Sequence, residues 1–293
     1  IKQNGTLSFA ASTFGTKEQE TYDIQGQYWL NETNGDEQLG VGSYMEHARN
    51  FLNSNMQTLN LSYEHKTLSH HLQTGISWKH ESIEENSREW EYRDSSGYSI
   101  PHTGKELQII YNLKSINDIG SNQTEFYAQD TYRHESGAGI LSLNYGARLS
   151  HWNWNDEWLF SPRVSMGFVP SGCDDLTLRL ATGMYYQRPF YKELRDTTTY
   201  MGNTTVDLNE GIKSQRSFQL VAGGESKFRL SERPFKFTTE LYYKAQSRLN
   251  PYNVDNMKII YYGNNCADGY VAGADFKLYG EFIPGTGSWI SFG

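Results

Sequence analysis

Apolar and polar residues alternate along this chain in runs of about ten. In FSPRVSMGFV, Phe160, Val164, Met166 and Phe168 fall on one side, and Ser161, Arg163 and Ser165 on the other. A period of two is that of a β-strand, whose successive side chains point to opposite faces. Such runs occupy 5–14, 56–67, 71–83, 122–134, 139–151, 160–168, 176–180, 215–228, 235–247 and 269–282, and another begins at Ser288. Eleven strands are therefore predicted. Their connections alternate between short and long. TLSHH, HESGAG, PSGCDD, LSERP and PGTGS are short and rich in turn-forming residues. The connections across 15–55, 84–121, 152–158, 189–214 and 248–268 are long.

This rhythm, with strands longer than the usual five or six residues, points to a transmembrane antiparallel β-barrel. Short turns would face the periplasm and long loops the outside. Aromatics at strand ends fit interfacial girdles: Trp152, Trp154, Trp158, Tyr185 and Tyr186 at the long-loop end, Phe168, Phe228, Phe235, Phe282 and Trp289 at the other. The face opposite the apolar stripe carries Lys79, Glu81, Glu125, Arg148, Arg163, Arg179, Glu225, Lys236 and Glu240. A small barrel has no room for so many long charged side chains, so a wide lumen is expected. Asp130 breaks the parity and is placed outward, near the short-turn interface. Bacterial barrels close with even strand numbers, so eleven strands read as part of a larger barrel.

Composition narrows this little. The 293 residues carry a net charge of −8, which disfavours a nucleic-acid partner. Mean hydropathy is −0.69, and no run of 18 apolar residues exists for a transmembrane helix. An alternating barrel averages out as polar in the same way. The first residues, IKQNGTLSF, lack a basic region and a long apolar region, so no signal peptide is read there. That leaves a cytoplasmic protein, or a mature or partial chain.

Particular segments carry a family resemblance. YQRPFYKEL (186–194) resembles the Arg-Pro to Glu-Leu element at the extracellular end of a strand in TonB-dependent outer-membrane receptors. FSPRVSMGFVP resembles the strand before it, and LYYKAQSRLNPYNVDNMKIIYYGNNCADGYVAGADFKLYGEF (241–282) a later strand-loop-strand. ETYDIQGQYWLNE and PFKFTTELYYK are most similar to Bacteroidota receptors that carry an N-terminal carboxypeptidase-like regulatory domain. The resemblance runs from about Thr6 to Phe292. It implies that residues 1–293 are part of a 22-stranded barrel holding a plug domain, with plug, first strands and last strands absent. It further implies an outer membrane location with lipid around the wall, energy from a TonB complex acting through the plug, and a surface lipoprotein partner. The ligand would be a siderophore, vitamin, glycan or peptide.

On that reading the extracellular aromatics Trp90, Tyr92, Trp152, Trp154, Tyr191, Tyr252 and Tyr261 are candidate ligand contacts. Tyr98, Trp158, Tyr200 and Tyr262 are further loop aromatics. Arg148, Arg163 and Arg179 project into the lumen and are expected to pair with acidic plug residues. No catalytic residue, cofactor or metal is assigned. His65, His70 and His71 surround one solvated turn, and Asp196, Asp207, Asp255 and Asn256 lack EF-hand spacing. Cys173 and Cys266 are expected at opposite sides of the membrane, unpaired. Segment 36–54 places Tyr44, His47, Ala48 and Phe51 at helical spacing, so either a short amphipathic helix or an irregular loop fits it. An outer-membrane enzyme barrel and a soluble β-rich carbohydrate-binding module are the alternatives.

Overall fold

The computed structural model describes residues 4–31, 38–94, 109–255 and 258–293. Eleven strands lie side by side, each antiparallel to the next. They are β1 (Asn4–Asn31), β2 (Gln38–Lys66), β3 (His70–Asp94), β4 (Ile109–Ser136), β5 (Gly139–Trp152), β6 (Glu157–Pro170), β7 (Leu176–Gln187), β10 (Gln215–Leu230), β11 (Arg233–Leu249), β14 (Ala267–Ile283) and β15 (Thr286–Phe292). Between β7 and β10 come a 3-10 turn, Tyr191–Leu194, and the hairpin β8 (Arg195–Tyr200) and β9 (Asn203–Leu208). Between β11 and β14 comes the hairpin β12 (Tyr252–Asp255) and β13 (Lys258–Tyr261). The sheet is open: among the described residues β1 and β15 each have one neighbour.

The register aligns apolar side chains across strands. Phe9, Leu61, Ile76, Phe126, Leu149 and Phe160 are successive cross-strand partners on one face, and all are exposed. The adjoining row contains Trp78, Thr124, His151 and Trp158. His151 and Trp158 rings lie 4.6 Å apart. Toward the short turns the same face continues through Met166 and Phe168. Trp158 and Phe168 are ten residues apart on β6, or about 34 Å of strand. Tilted by about 45°, that spans roughly 25 Å, the height of a barrel's lipid-facing band. Asp130 does lie on this face, where His70 Nδ1 sits 2.6 Å from one carboxylate oxygen and Tyr145 donates its hydroxyl at 2.9 Å.

Three expectations require correction. The connection across 152–158 is not long: β5 ends at Trp152 and β6 begins at Glu157, with a tight turn at 153–156. Segments 15–55 and 84–121 are not mainly loops: β1 to β4 run 25 to 29 residues and continue far past the apolar band. Nor does 36–54 form a helix, since β2 begins at Gln38 and pairs on both sides, with β1 and β3; residues 36 and 37 lie outside the described residues. Pairing overrides the helical spacing, and in the strand His47 and Phe51 fall on the face opposite Tyr44 and Ala48. By contrast β5 and β6 have 14 residues each and β7 has 12, so the wall is low there. The five tight turns lie where expected. Cys173 and Cys266 are exposed free thiols, one in the turn after β6 and one just before β14.

Candidate functional site

The other face of the sheet is charged, and the connection from β7 to β10 folds onto it. Ile83 of β3, Ile119 of β4 and Trp152 of β5 form a buried cluster with Tyr191, Leu194 and Ile212 of that connection. Each wall residue sits at the parity opposite the apolar band, so the strand period itself presents them inward. Leu52, Trp154 and Leu208 pack against the cluster. Removing these apolar side chains from water is the main gain holding the connection in place.

Polar contacts fix its position. Glu157, at the start of β6, accepts two hydrogen bonds on Oε2 from the fully buried Ser214: from the amide at 2.9 Å and from the hydroxyl at 2.7 Å. Asn155 Nδ2 donates to the Ile212 carbonyl at 2.7 Å, and Trp154 Nε1 to the Asn209 carbonyl at 3.2 Å. From the opposite side, Asn265 exchanges bonds with Lys213 in both directions, and Asn209 Nδ2 donates to Gly263 at 2.6 Å. The short β5–β6 turn and the β11–β14 connection thus clamp the β7–β10 connection between them.

Charge pairs extend this lock inward. Arg195 Nη1 lies 3.2 Å from Glu85, which also accepts bonds from Ser87 and Asn117 at 2.9 Å each. Arg188 Nη1 lies 3.7 Å from Glu125, which Arg148 approaches to 3.2 Å. Burial lowers the Arg188 pKa below the ordinary arginine value, and Glu125 and Glu157 oppose that only in part. Its Nε and Nη2 are buried with no hydrogen-bond partner among the described residues. Burial likewise raises the Tyr191 hydroxyl well above the usual tyrosine range.

Below the docked connection lies a cavity of about 450 Å³. Lys79, Arg148, Arg163 and Arg188 line it, with Glu81 and Glu125 as the acids. Lys79 pairs with Glu81 at 3.3 Å. Arg163 has no carboxylate partner among the described residues, and its guanidinium lies 4.4 Å from the centre of the Tyr185 ring. Arg179 faces the same side and reaches Glu225 at 3.6 Å, where Lys236 also converges at 3.7 Å. Arg148 and Arg179 thus have acidic partners within the wall itself.

The whole chain from 2 to 292 matches the family model described as TonB dependent receptor-like, beta-barrel. The chain belongs to this family. The sheet is therefore a stretch of receptor barrel wall, its apolar face the lipid side and its charged face the lumen; barrels of this family lie in the Gram-negative outer membrane. Among solved structures, the receptor barrel is similar to the RagAB peptide transporter, at 13% identity and a TM-score of 0.53, over 97% of this chain and 33% of that one. It is also similar to the copper transporter OprC, at 13% identity and a TM-score of 0.51, over 86% of this chain and 42% of that one. A ferric enterobactin receptor mutant from Pseudomonas aeruginosa follows at 14% and 0.50, over 93% and 42%. These likenesses show the fold. The chain spans about a third of the RagAB chain. No curated protein matches the sequence.

The receptor barrel distributes the seven candidate aromatics unevenly. Trp152 and Tyr191 are buried in the lumenal cluster, and Trp154 packs on it. Tyr252 and Tyr261 face each other across β12–β13, and Tyr261 meets Phe190 edge-on at 5.4 Å. Phe190 lines the cavity, so this pair joins the site. Trp90 and Tyr92 do not: they lie in β3 on the outer parity, and Trp90 stacks on His47 at 5.1 Å. Both belong to a strand rather than to the loop expected there. His70 and His71 point to opposite faces, toward Asp130 and Glu64. Asp196 and Asp207 come opposite each other across β8–β9, whereas Tyr98 and Asn256 lie outside the described residues. Glu85, Glu157 and Ser214 escaped the sequence reading, because nothing in their local pattern marks them. Arg188 stood within the Arg-Pro to Glu-Leu element of YQRPFYKEL, which marked the segment but not its pairing with Glu125.

Proposed function

We propose that this chain is the wall region of an outer-membrane receptor that imports a scarce nutrient with energy from a TonB complex. The observation that supports it best is the pairing of a lipid band of membrane height with a charged lumen into which a long connection is folded. Residues 1–293 form one part of a larger barrel around a plug. The similarity of ETYDIQGQYWLNE and PFKFTTELYYK to Bacteroidota receptors supports that origin and a surface lipoprotein partner. Phe190, Tyr252 and Tyr261 are the aromatics best placed for ligand, while Trp152 and Tyr191 hold the connection. Arg163 is the lumenal arginine assigned to an acidic plug residue, because Arg148 and Arg179 already have a carboxylate partner in the wall.

The test is uptake by cells that carry the full-length receptor. A labelled mixture of peptides, glycans and ferric chelates should enter, and a protonophore should stop it. Entry that continues at the same rate after the proton-motive force is collapsed would rule out active import. Arg163→Glu should loosen plug retention; unchanged retention would remove the plug-facing role.

A further inference from the structure

We propose that the free edge of β8 captures extended peptides by adding them as a further strand, which names a substrate class for the importer. β8 pairs with β9 alone among the described residues. Its turn, Tyr200-Met201-Gly202-Asn203, has φ of 50° at Met201 and 78° at Gly202. Positive φ at both central residues is the tight hairpin turn whose closing pair exchanges hydrogen bonds. Tyr200 and Asn203 are that closing pair, and bonded pairs alternate along the ladder. Thr198 with Thr205 is the next bonded pair. The N–H and C=O of Thr197 and Thr199 therefore point away from β9.

A second observation fixes the same phase. Asn112 donates its amide to the Gly202 carbonyl at 2.7 Å, and β9 runs parallel to β4 with Leu113 beside Thr204. The outward groups of β9 at 202 and 204 are thus the ones turned to β4. Those of β8 at Thr199, opposite Thr204, must face the other way. Asp196 to Tyr200 are all exposed.

Sheet edges are usually blunted with lysine, proline, a bulge or a cover. The edge RDTTTY has no proline, lysine or register shift. Thr197 and Thr199 offer two N–H and two C=O groups at strand spacing, which an extended backbone matches and a glycan or metal chelate does not. Asp196 and Asp207, paired in register and both exposed, make one end of the edge acidic. The favoured occupant is a short extended peptide with a basic residue toward that end. Backbone bonds give affinity with little demand on sequence, as suits an importer of mixed peptides.

The inference rests on the importer reading for the fate of a captured peptide, but capture is measurable without transport. Amide exchange at Thr197 and Thr199 is monitored in the full-length receptor in detergent. One pool contains N-acetylated hexapeptides of mixed sequence with one lysine; a second is N-methylated at alternate residues. The first pool should slow exchange roughly tenfold, as one added backbone bond would, and the second should not. Thr199→Pro removes an outward donor and spares the Thr198–Thr205 pair, so protection at Thr197 should vanish; Thr198→Val should retain it. Equal effects of the two pools, or no effect of either, would overturn the inference. So would amides already protected without peptide, which would mean that the receptor's own chain fills the edge. Capture without uptake would count against the importer reading alone.

Discussion

Glu193 is buried within the docked connection, where it accepts hydrogen bonds from the Phe190 amide at 3.1 Å and the Gln215 side chain at 3.1 Å. Desolvation raises its pKa above the ordinary glutamate value, and the Phe190 bond opposes that only in part. A raised carboxyl favours the protonated folded form. Its stabilising contribution is complete below the unfolded value and fades as pH rises through the folded one. Amide exchange across 190–195 should therefore quicken over that window, and Glu193→Gln should flatten the profile. Glu157 holds the connection through hydrogen bonds to Ser214. Glu157→Ala strands the buried amide and hydroxyl of Ser214, at a cost of about 2–4 kcal/mol for two unmet donors. Faster exchange across 209–214 with the wall strands unchanged is the expected result. Neither role was legible in the sequence: Ser214 reaches Glu157 from a distant connection, and the local Phe190 bond of Glu193 does not reveal its burial.

Among the elements, the β10–β11 hairpin turns through Ser231 and Glu232, both with positive φ, at 50° and 65°. Side chains are strained there, and Asn-Gly suits the same turn. Ser231→Asn with Glu232→Gly should raise the unfolding midpoint, by about 1 kcal/mol of stability, read as heat-modifiable migration. All eleven wall strands were visible as period-two runs, because lipid on one side forces alternation. The extensions of β1 to β4 were invisible for the converse reason. Beyond the band both faces are polar, as with Asn53 and Ser54 of β2, and periodicity carries no signal. The same loss of contrast hid β8 and β9, whose RDTTTY and NTTVDL lack a clear apolar stripe.

For the whole molecule, the two faces of one sheet meet opposite solvents, and substitutions should separate by face. Phe126→Arg or Leu149→Arg, one row inside the Trp158 end of the apolar band, should cost about 1–2 kcal/mol and lower membrane insertion. Gln129→Arg, on the charged face of the same strand, should insert normally. Yield in the outer-membrane fraction checks both, and equal yields would undo the assignment of faces. The parity that sorts these positions was readable from sequence alone, as for Arg163 against Val164. The seating of the β7–β10 connection was not, since it needs Ile83, Ile119 and Trp152 brought together from three strands.

The pairing of β9 with β4 also carries a consequence for the order of assembly. Apart from the β8–β9 hairpin, every other pairing in the main sheet among the described residues joins consecutive wall strands, each adding to the one before. β9 instead reaches back past β5, β6 and β7 to Asn112 and Leu113. Closing so long a span has little to reward it until the intervening strands are in place. The wall must form first and the connection settle last, like a latch dropped into a finished frame. Lesions in the latch should then leave biogenesis quick and spoil only what the finished receptor can hold.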